Sequence, residues 1–313
     1  MVKQKGTTPD VVVGLDIGGT KLMTALVTSE GTVLDRHRAP APARDGNAME
    51  ATAFDLVEQS LSDARRDGRR IKGIGVGSGG PMSAGGRLLS PLNIPGWVEY
   101  PLVDRLRDRF GIPCELDNDA KALALAEGWV GAAQAERNFL AMVVSTGVGG
   151  GLVVDGRLLD GATGNGGHIG HVIVNPGGRH CACGARGCLE AEASGTAIAS
   201  FTGAPPAEAP PDVRAHVGTM VGRAVGSVVT LLDLRLVCVA GSVALGFGDE
   251  FFDAAQLELE RTARLSYSRG ARIIPAGCGA DGPLIGAGAV YYSRHGLLVP
   301  SGSADLGSEA TNG

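Results

Sequence analysis

The sequence is poor in aromatic side chains, which make up only 4% of its 313 residues. Since 44% of the residues are nevertheless hydrophobic, the apolar mass is mainly Ala, Val and Leu, which suits packed α/β layers. Positive charge is also scarce. The formal net charge of −5 argues against a nucleic-acid-binding surface. We therefore expect an α/β protein that has no nucleic-acid partner.

Long apolar runs are missing as well. No stretch approaches the roughly 20 apolar residues that a membrane span needs, and the first ten residues contain no apolar signal-peptide core. We therefore expect a cytoplasmic protein with no membrane partner. Residues 1–9 and 301–313 have little apolar surface to bury, and we expect them to be disordered.

Cysteines number only six, but three of them fall within eight residues. Cys181, Cys183 and Cys188 form a C-x-C-x4-C pattern, and His171 precedes them. Three thiolates and an imidazole can supply the four ligands of a tetrahedral Zn²⁺. A glycine-rich loop that merely collects small residues accounts poorly for such clustering. We predict a closed, structural zinc site that pins the loop from His171 to Glu190. The other cysteines, which we expect to be reduced and buried, are Cys114, Cys238 and Cys278.

Glycine is abundant, with 50 residues gathered in short clusters between apolar runs. Residues 16–21 (DIGGTK) and 145–151 (STGVGGG) are both glycine loops between apolar segments. Such loops direct backbone N–H groups at one point and let a phosphate approach closely. One glycine hairpin is weak evidence of phosphate binding, but two in corresponding positions predict that a triphosphate is bound from both sides. The expected contacts are Asp16 (through a Mg²⁺-bound water), Gly18, Gly19, Thr20, Lys21, Thr146, Gly147 and Gly149.

Hydrophobic periodicity predicts two similar halves, each opening with a strand, a glycine turn and a strand. This indicates a duplicated α/β unit with a cleft between the halves. We predict strands at 11–16, 21–28, 31–38, 71–76, 114–116, 138–145, 152–154, 236–240 and 272–275. We predict helices at 49–67, 102–110, 118–130, 212–232, 249–266 and 286–292.

Two further motifs lie at predicted strand-to-helix junctions. Gly241 and Ser242 suit an adenosine or α-phosphate contact at a helix N-terminus, although an ordinary turn fits the pattern equally well. Asn118 and Asp119 fit a helix cap, with an acid at the positive end of the helix dipole. The functional alternative makes Asp119 a general base that accepts the proton of a hydroxyl attacking a γ-phosphate.

Together these motifs resemble the ROK family of sugar kinases, which comprises bacterial glucokinases, fructokinases, N-acetylmannosamine kinases and related repressors. The His-plus-three-Cys signature with its trailing glutamate, Glu190, is highly specific. The similar segments run in family order over nearly the whole chain: 16–20, 93–97, 118–119, 145–151, 164–171, 181–190 and 241 onward.

The resemblance implies an actin/hexokinase-like fold, in which two α/β domains close on sugar and ATP. We place the small domain at residues 10–117 plus about 287–300, and the large domain with the zinc knuckle at 118–286. The implied activity is that of an ATP:hexose 6-phosphotransferase, which needs Mg²⁺ with its ATP; the implied assembly is a homodimer. Asp119 carries over as the base, and the sugar contacts that carry over are Asn93, Asn118, Asp119, His171 and Glu190.

His168 departs from the glucokinase pattern, which usually reads G-E-x-G-H before the zinc-binding histidine. A histidine at this position resembles the N-acetylmannosamine kinases, and it exchanges a carboxylate acceptor for an imidazole that can also donate. The substrate is then either glucose or an amino- or N-acetylamino-hexose, such as kanosamine or N-acetylmannosamine. The segment 93–97 (NIPGW) looks glucokinase-like, so both alternatives stay open.

Two other classes of function remain. Sugar-sensing regulators of this family carry an N-terminal winged-helix domain, whereas only ten residues precede the first predicted strand here. A non-catalytic sugar-binding protein would not need the general base Asp119 or two phosphate loops. The sequence therefore favours the kinase.

Overall fold

A computed structural model describes residues 10–42 and 44–298, and two five-stranded sheets organise this part of the chain. The termini expected to be disordered, 1–9 and 301–313, lie outside it. The first sheet contains β1 (Val11–Ile17), β2 (Lys21–Thr28), β3 (Val33–Pro40), β4 (Ile71–Ser78) and β5 (Cys114–Asn118). Its order is β3-β2-β1-β4-β5. Strands β1, β4 and β5 are parallel, and β2 runs antiparallel to both of its neighbours.

The second sheet repeats this path. It contains β6 (Phe139–Val144), β7 (Val148–Val154), β8 (Arg157–Leu158), β9 (Leu236–Ala240) and β10 (Arg272–Pro275). Its order is β10-β9-β6-β7-β8. As in the first sheet, an antiparallel hairpin flanks the central strand on one side and two parallel strands flank it on the other. This shared topology confirms the predicted duplication of an α/β unit.

The helices cover both sheets. They are α1 (Gly46–Arg66), α2 (Leu102–Phe110), α3 (Asp119–Trp129), α4 (Leu189–Ala193), α5 (Gly195–Thr202), α6 (Pro211–Leu232), α7 (Ser242–Phe247), α8 (Asp249–Thr262) and α9 (Gly282–Arg294). In α1, Ala53, Leu56, Val57 and Leu61 recur at helical spacing and are buried in the core of the first sheet, as predicted. Helices α6 and α8 form the corresponding core of the second sheet.

Helices α3 and α9 join the two halves. Helix α3 follows the first sheet but packs on β6 and β7, whereas α9 follows the second sheet but packs on β1 and β4. The strands beneath them carry glycines because the helix backbones come very close. A Cβ atom on Gly75 would lie 2.0 Å from the Ala287 carbonyl oxygen, and one on Gly151 would lie 2.7 Å from that of Ala120.

Helix α6 would be able to cross a membrane if its length and composition alone were considered. In this fold its apolar side is instead in the protein interior. Val217, Val221, Val225 and Val229 are all buried with the residues of the second sheet. The helix is therefore a core element of the described structure.

The predicted glycine loops are shorter than expected. Strand β7 begins at Val148, so Gly149 lies in a strand, facing α3, where a Cβ atom would meet the Ala120 Cβ at 2.9 Å. The predicted strand-to-helix junction at Gly241 opens the short helix α7, which precedes the predicted helix at 249–266. Helices α4 and α5 were not predicted, and α9 begins four residues before the predicted start at 286.

Candidate active site

The first turn of α3 forms the floor of the cleft between the two sheets. Asn118 caps the helix, because its Oδ1 accepts the N–H groups of Ala120 and Lys121 at 3.0 and 3.3 Å. Its Nδ2 faces the other way, and a Cβ atom on Gly80 would lie 3.7 Å from it. The Asp119 carboxylate is open to solvent at this point, and its Oδ1 accepts the Ala120 N–H at 2.8 Å. Asn118 thus supplies the cap and leaves Asp119 for other work.

Both sheets meet this first turn. From the first sheet, a Cβ atom on Gly77 would lie 3.8 Å from the Asp119 Cα and 3.9 Å from Oδ1 of Asp16. From the second sheet, Gly149 packs on Ala120. Asp16 at the end of β1 and Asp119 therefore share one region of the cleft.

Both carboxyl groups are hard to ionise in this setting. Although Asp119 is exposed as a residue, the protein atoms around the cleft displace much of the water near its carboxyl group and raise its pKa, while its backbone hydrogen bonds and a positive charge on His168 oppose the increase. Burial, together with the negative charge of Asp119, raises the pKa of Asp16 to about 7. Lys21 opposes the increase at Asp16. Perturbed carboxyl groups in a cleft are typical of catalytic sites.

The first glycine turn joins β1 to β2. The Gly18 N–H donates to the Lys21 carbonyl at 3.1 Å, which leaves Gly19 and Thr20 exposed at the tip. Asn93 lies against this turn, since a Cβ atom on Gly19 would come within 2.6 Å of its Nδ2.

Trp97 anchors the segment that carries Asn93. Its buried indole donates to the Gly46 carbonyl at 3.0 Å and stacks on Tyr100, with ring centroids 4.6 Å apart. A buried, hydrogen-bonded tryptophan holds a loop firmly. The predicted site residue Asn93 is thus fixed beside the first glycine turn.

The second glycine turn occupies the equivalent position between β6 and β7. The Ser145 N–H donates to the Gly147 carbonyl at 2.9 Å, and the Ser145 hydroxyl lies 3.0 Å from that of Ser242. The Thr196 N–H and hydroxyl both donate to the Thr146 carbonyl, at 3.1 and 3.0 Å. The second turn is therefore tied to the starts of α5 and α7.

A cavity of about 490 Å³ opens beside the second turn. Its lining brings together Thr146 and Ser242, which the sequence predicted separately. Thr196, Pro206 and Phe247 also line it, and sequence reasoning missed them. The Ser-Gly-Thr at the start of α5, in which Ser194 caps the helix, is the one local signal that could have indicated this region. The cavity has the size and the mixed polarity of a small-molecule site.

Glu190 lies behind the second turn. Its Oε2 accepts the Val148 N–H at 2.5 Å, and a Cβ atom on Gly147 would lie 3.1 Å from its Oε1. Burial raises the pKa of Glu190, and the hydrogen bond from Val148 opposes that increase. The carboxylate thus connects α4 to the turn.

His168 also lies on the second-sheet side of the cleft and faces the loop after β4. Its Nδ1 lies 2.9 Å from the Asn165 carbonyl, while a Cβ atom on Gly80 would lie 3.9 Å from its Nε2. The rings of His168 and His171 are nearly parallel, with centroids 6.3 Å apart. Burial and the neighbouring His168 lower the pKa of His171.

The predicted zinc ligands form one cluster. The ligand atoms of His171, Cys181, Cys183 and Cys188 all lie within 4.8 Å of one another. The sulfurs of Cys183 and Cys188 are 3.7 Å apart, and Cys181 Sγ is 3.7 Å from His171 Nδ1. A tetrahedron with ~2.3 Å metal–sulfur bonds has edges of about 3.8 Å, so these residues fit a tetrahedral Zn²⁺. All six cysteines are free of disulfides, and Cys278 is only partly buried, contrary to expectation.

Comparison with known proteins identifies the family of this chain. The sequence pattern described as "ROK family" matches residues 12–293. This chain belongs to the ROK family. A glucokinase of Halalkalibacterium halodurans is 40% identical over 190 residues, which are 60% of this chain and 57% of that protein. An N-acetylmannosamine kinase of Yersinia pestis is 36% identical over 249 residues, which are 75% of this chain and 83% of that protein.

A solved ROK structure has the same fold. The ROK family glucokinase of Streptomyces griseus, determined in complex with glucose and AMPPNP, superposes with a TM-score of 0.77 at 26% identity. The match covers 89% of this chain and 98% of that one. It confirms the actin/hexokinase-like fold. The named ROK relatives are thus sugar kinases of two substrate classes.

Proposed function

We propose that this ROK protein is an ATP-dependent hexose kinase that transfers the γ-phosphoryl group of ATP to a sugar hydroxyl, namely the 6-OH. One observation carries the proposal. Equivalent glycine turns of two duplicated sheets flank the first turn of α3, where Asp119 faces the cleft. A triphosphate held from both sides would present its γ-phosphoryl group near that carboxylate.

Asp119 acts as the general base in this reaction. The sugar hydroxyl attacks the γ-phosphorus, its proton passes to Asp119, and the bond to the bridging oxygen of ADP breaks. The raised pKa suits a group that must accept a proton from the hydroxyl and later release it. Asp16 would hold Mg²⁺ through a bound water, and that ion would neutralise charge on the phosphates.

The nucleotide lies along the second turn in this proposal. Its phosphates contact Gly18, Gly19, Thr20 and Lys21 on one side, and Thr146 and Gly147 on the other. The adenosine occupies the 490 Å³ cavity beside Ser242 and Gly241. Gly149 contributes indirectly, because it packs against the helix that carries Asp119.

The sugar lies between Asn93 and Asn118 on the first sheet side and His168, His171 and Glu190 on the second. Asn118 offers Nδ2, since its Oδ1 is used in capping. His171 turns Nδ1 towards the cysteines, which leaves Nε2 for a hydroxyl. We propose that the cluster binds one structural Zn²⁺ and so fixes His171, next to the His168 segment, and Glu190.

We propose the following domain organisation, in which the site lies between two domains. The small domain comprises residues 10–117 plus about 287–300, and the large domain comprises 118–286. We also propose a cytoplasmic homodimer, by similarity within the family, and light scattering after gel filtration tests the stoichiometry.

The deciding experiment is a coupled assay of ADP formation with a panel of hexoses and amino-hexoses. A kinase gives sugar-dependent ADP release with at least one of them, and the product's phosphate position is read by NMR. Sugar binding with no turnover on any panel member would favour a sensor or binding protein instead.

His168 is expected to favour a hexose with an altered substituent over glucose. Because the Asn165 carbonyl can only accept, His168 Nδ1 carries hydrogen, and Nε2 is the ring atom left for the sugar, which it can accept from when the ring is neutral. A site that hydrogen-bonds one substituent discriminates strongly against analogues that lack it. N-acetylmannosamine and kanosamine should therefore have a higher kcat/KM than glucose, and H168E should shift the preference towards glucose by about tenfold or more.

A large preference of the unaltered protein for glucose would contradict this assignment. The control is H216A, at an exposed histidine on α6, outside the loop from His171 to Glu190, which should leave the sugar preference unchanged.

A further inference from the structure

Asn165 connects the two halves of the molecule across the cleft. It lies in the segment between β8 and His168, on the side of the second sheet. Its side chain forms a two-way pair with the main chain of Met82, which follows β4 of the first sheet. The Met82 N–H donates to Oδ1 at 3.2 Å, and Nδ2 donates to the Met82 carbonyl at 2.8 Å. One side chain thus fastens one wall of the cleft to the other.

The main chain of the same residue orients His168. The Asn165 carbonyl accepts the Nδ1–H of His168 at 2.9 Å, which directs Nε2 towards Gly80. The position of this carbonyl decides where the imidazole acceptor lies. Any shift of Asn165 relative to Met82 would therefore move His168 relative to the first sheet.

Lys121 holds the start of this segment. Its side chain is 1% exposed, and its Nζ donates to Asp160 Oδ1 at 2.6 Å and to the Gly164 carbonyl at 3.2 Å. These bonds tie the segment to α3, close to Asp119. Among the described residues, the hydrogen bonds from the segment 160–168 to the loop after β4 are those of Asn165. Loss of the Asn165 side chain should therefore leave the segment attached to α3 through Lys121 but free to move against the first sheet.

We propose that Asn165 is a positioning residue for sugar recognition, which fastens the His168 segment to Met82 and fixes the ring tautomer. This inference rests on the proposed role of His168 in binding the sugar. Because Asn165 acts through His168, the effect of removing its side chain depends on whether the imidazole is present.

The test is a double-mutant cycle with N165A, H168A and the double variant, measured with glucose and with N-acetylmannosamine. Loss of two partly buried hydrogen bonds in N165A should raise the sugar KM about tenfold, with kcat and the KM for ATP within about twofold. In the H168A background the same substitution should change the sugar KM by less than about twofold.

The matched control is N138A. Asn138 also uses its side chain to fix a main-chain group, accepting the Asp155 N–H at 2.7 Å, but it lies in a turn away from the cleft. It should leave all constants unchanged, and melting curves should show N165A folded. An unchanged sugar KM in N165A, or an equal increase in both backgrounds, would overturn the inference. If H168A alone leaves the sugar KM unchanged, the proposed role of His168 fails first, and the inference fails with it.

Discussion

At the first turn of α3, neighbouring residues divide two tasks. Asn118 caps the helix through Oδ1, so the acid that follows is not needed for that purpose. Asp119 keeps one oxygen beyond the Ala120 N–H contact and faces the cleft. This division separates the two explanations, capping and catalysis, that the sequence left open.

The substitution D119N should abolish most of the turnover. The amide keeps the size and a hydrogen bond but cannot accept the proton, so kcat should decrease by about 10²- to 10⁴-fold. The sugar and ATP dissociation constants should change by less than about threefold. Steady-state kinetics and equilibrium binding measure these quantities.

A matched control is D104N, which removes an exposed acid from the first turn of α2. Its turnover should equal that of the wild type, and a similar loss in both variants would mean that helix stability accounts for the effect. As the pH is lowered, kcat/KM should also decrease, and the midpoint of this decrease should lie above pH 3.8. The reason is that the raised pKa keeps Asp119 protonated, and so unable to act as a base, at higher pH than an ordinary aspartate.

Asp16 is expected to destabilise the free protein at neutral and alkaline pH. Its pKa is raised from 3.8 to about 7, so the folded protein holds this proton more tightly than the unfolded chain does. As the pH rises from 3.8 towards 7, the unfolded chain loses the proton first and stability decreases. D16N should therefore raise the free energy of unfolding by roughly 2 kcal/mol at pH 8 and by less at pH 5, while impairing activity.

Urea unfolding at the two pH values measures this difference without added nucleotide or Mg²⁺. The exposed D55N on α1 serves as the comparison and should show no pH-dependent gain. A D16N variant less stable than the wild type at pH 8 would contradict the expectation that the negative charge of Asp16 destabilises the folded protein.

At the scale of elements, the cysteine knuckle connects two sugar-binding walls that both lie on the second-sheet side of the cleft, namely the segment from His168 to His171 and the start of α4. The His171 end is the last residue of the 3₁₀ turn that follows His168, and the Cys188 end is the N-cap of α4, which carries Glu190. The Leu189 N–H donates to the Val172 carbonyl at 2.9 Å, which joins the two ends. A metal in the knuckle would therefore hold both walls in register.

The substitution C183S should remove one zinc ligand and loosen these walls together. Because a closed metal site contributes folding energy, we expect a lower zinc content and a decrease in Tm of roughly 5–10 °C. The sugar KM should rise more than the ATP KM, since the knuckle borders the sugar side. Metal analysis, melting curves and kinetics measure the three effects.

The comparison variant is C278S, which alters a thiol outside the cluster. It should keep a full equivalent of zinc. If purified wild-type protein contains no stoichiometric zinc, the proposed site is wrong, whatever C183S does.

Element by element, long periodic segments could be predicted and short ones could not. Helix α2 and strands β9 and β10 have the predicted bounds, because their apolar spacing is clear. The five-residue helix α4 is too short to show a period. Gly149 was assigned to a loop although it lies in β7, because the helix packed on that strand cannot be seen locally.

At the scale of the whole molecule, the contact between α9 and the first sheet depends on residues without side chains. A Cβ atom on Gly75 would lie 2.0 Å from the Ala287 carbonyl oxygen, and backbone cannot yield as a flexible side chain can. The substitution G75A should therefore separate α9 from β4 and lower the Tm by about 5 °C or more.

G177A is the control for G75A, because a Cβ atom there would meet nothing within 4 Å. Its Tm should stay within about 1 °C of the wild type. Equal melting temperatures for G75A and the wild type would mean that the two halves are less tightly joined than the structure indicates.

In the candidate site, too, residues in local motifs could be predicted and residues placed by long-range contacts could not. Asp16, Asn93, Asp119 and His168 lie in motifs, and their local patterns predicted them. Thr196, Lys121 and Asn165 were given no role from the sequence, because the contacts that bring them into the site join residues 39 to 83 positions apart in the chain. Long-range pairing of this kind exists only once the two halves have come together.

The exchange of α3 and α9 has a consequence for how the chain could have arisen. Each half ends in a helix that covers the sheet of the other half, so neither half is complete alone. Two copies of one ancestral half, each lending its last helix to its twin, would have had the same contacts as a symmetric pair of separate chains. Fusion of two such genes would have fixed the pair in one chain and allowed the copies to diverge, both retaining the glycine turn and only the second acquiring the cysteine knuckle.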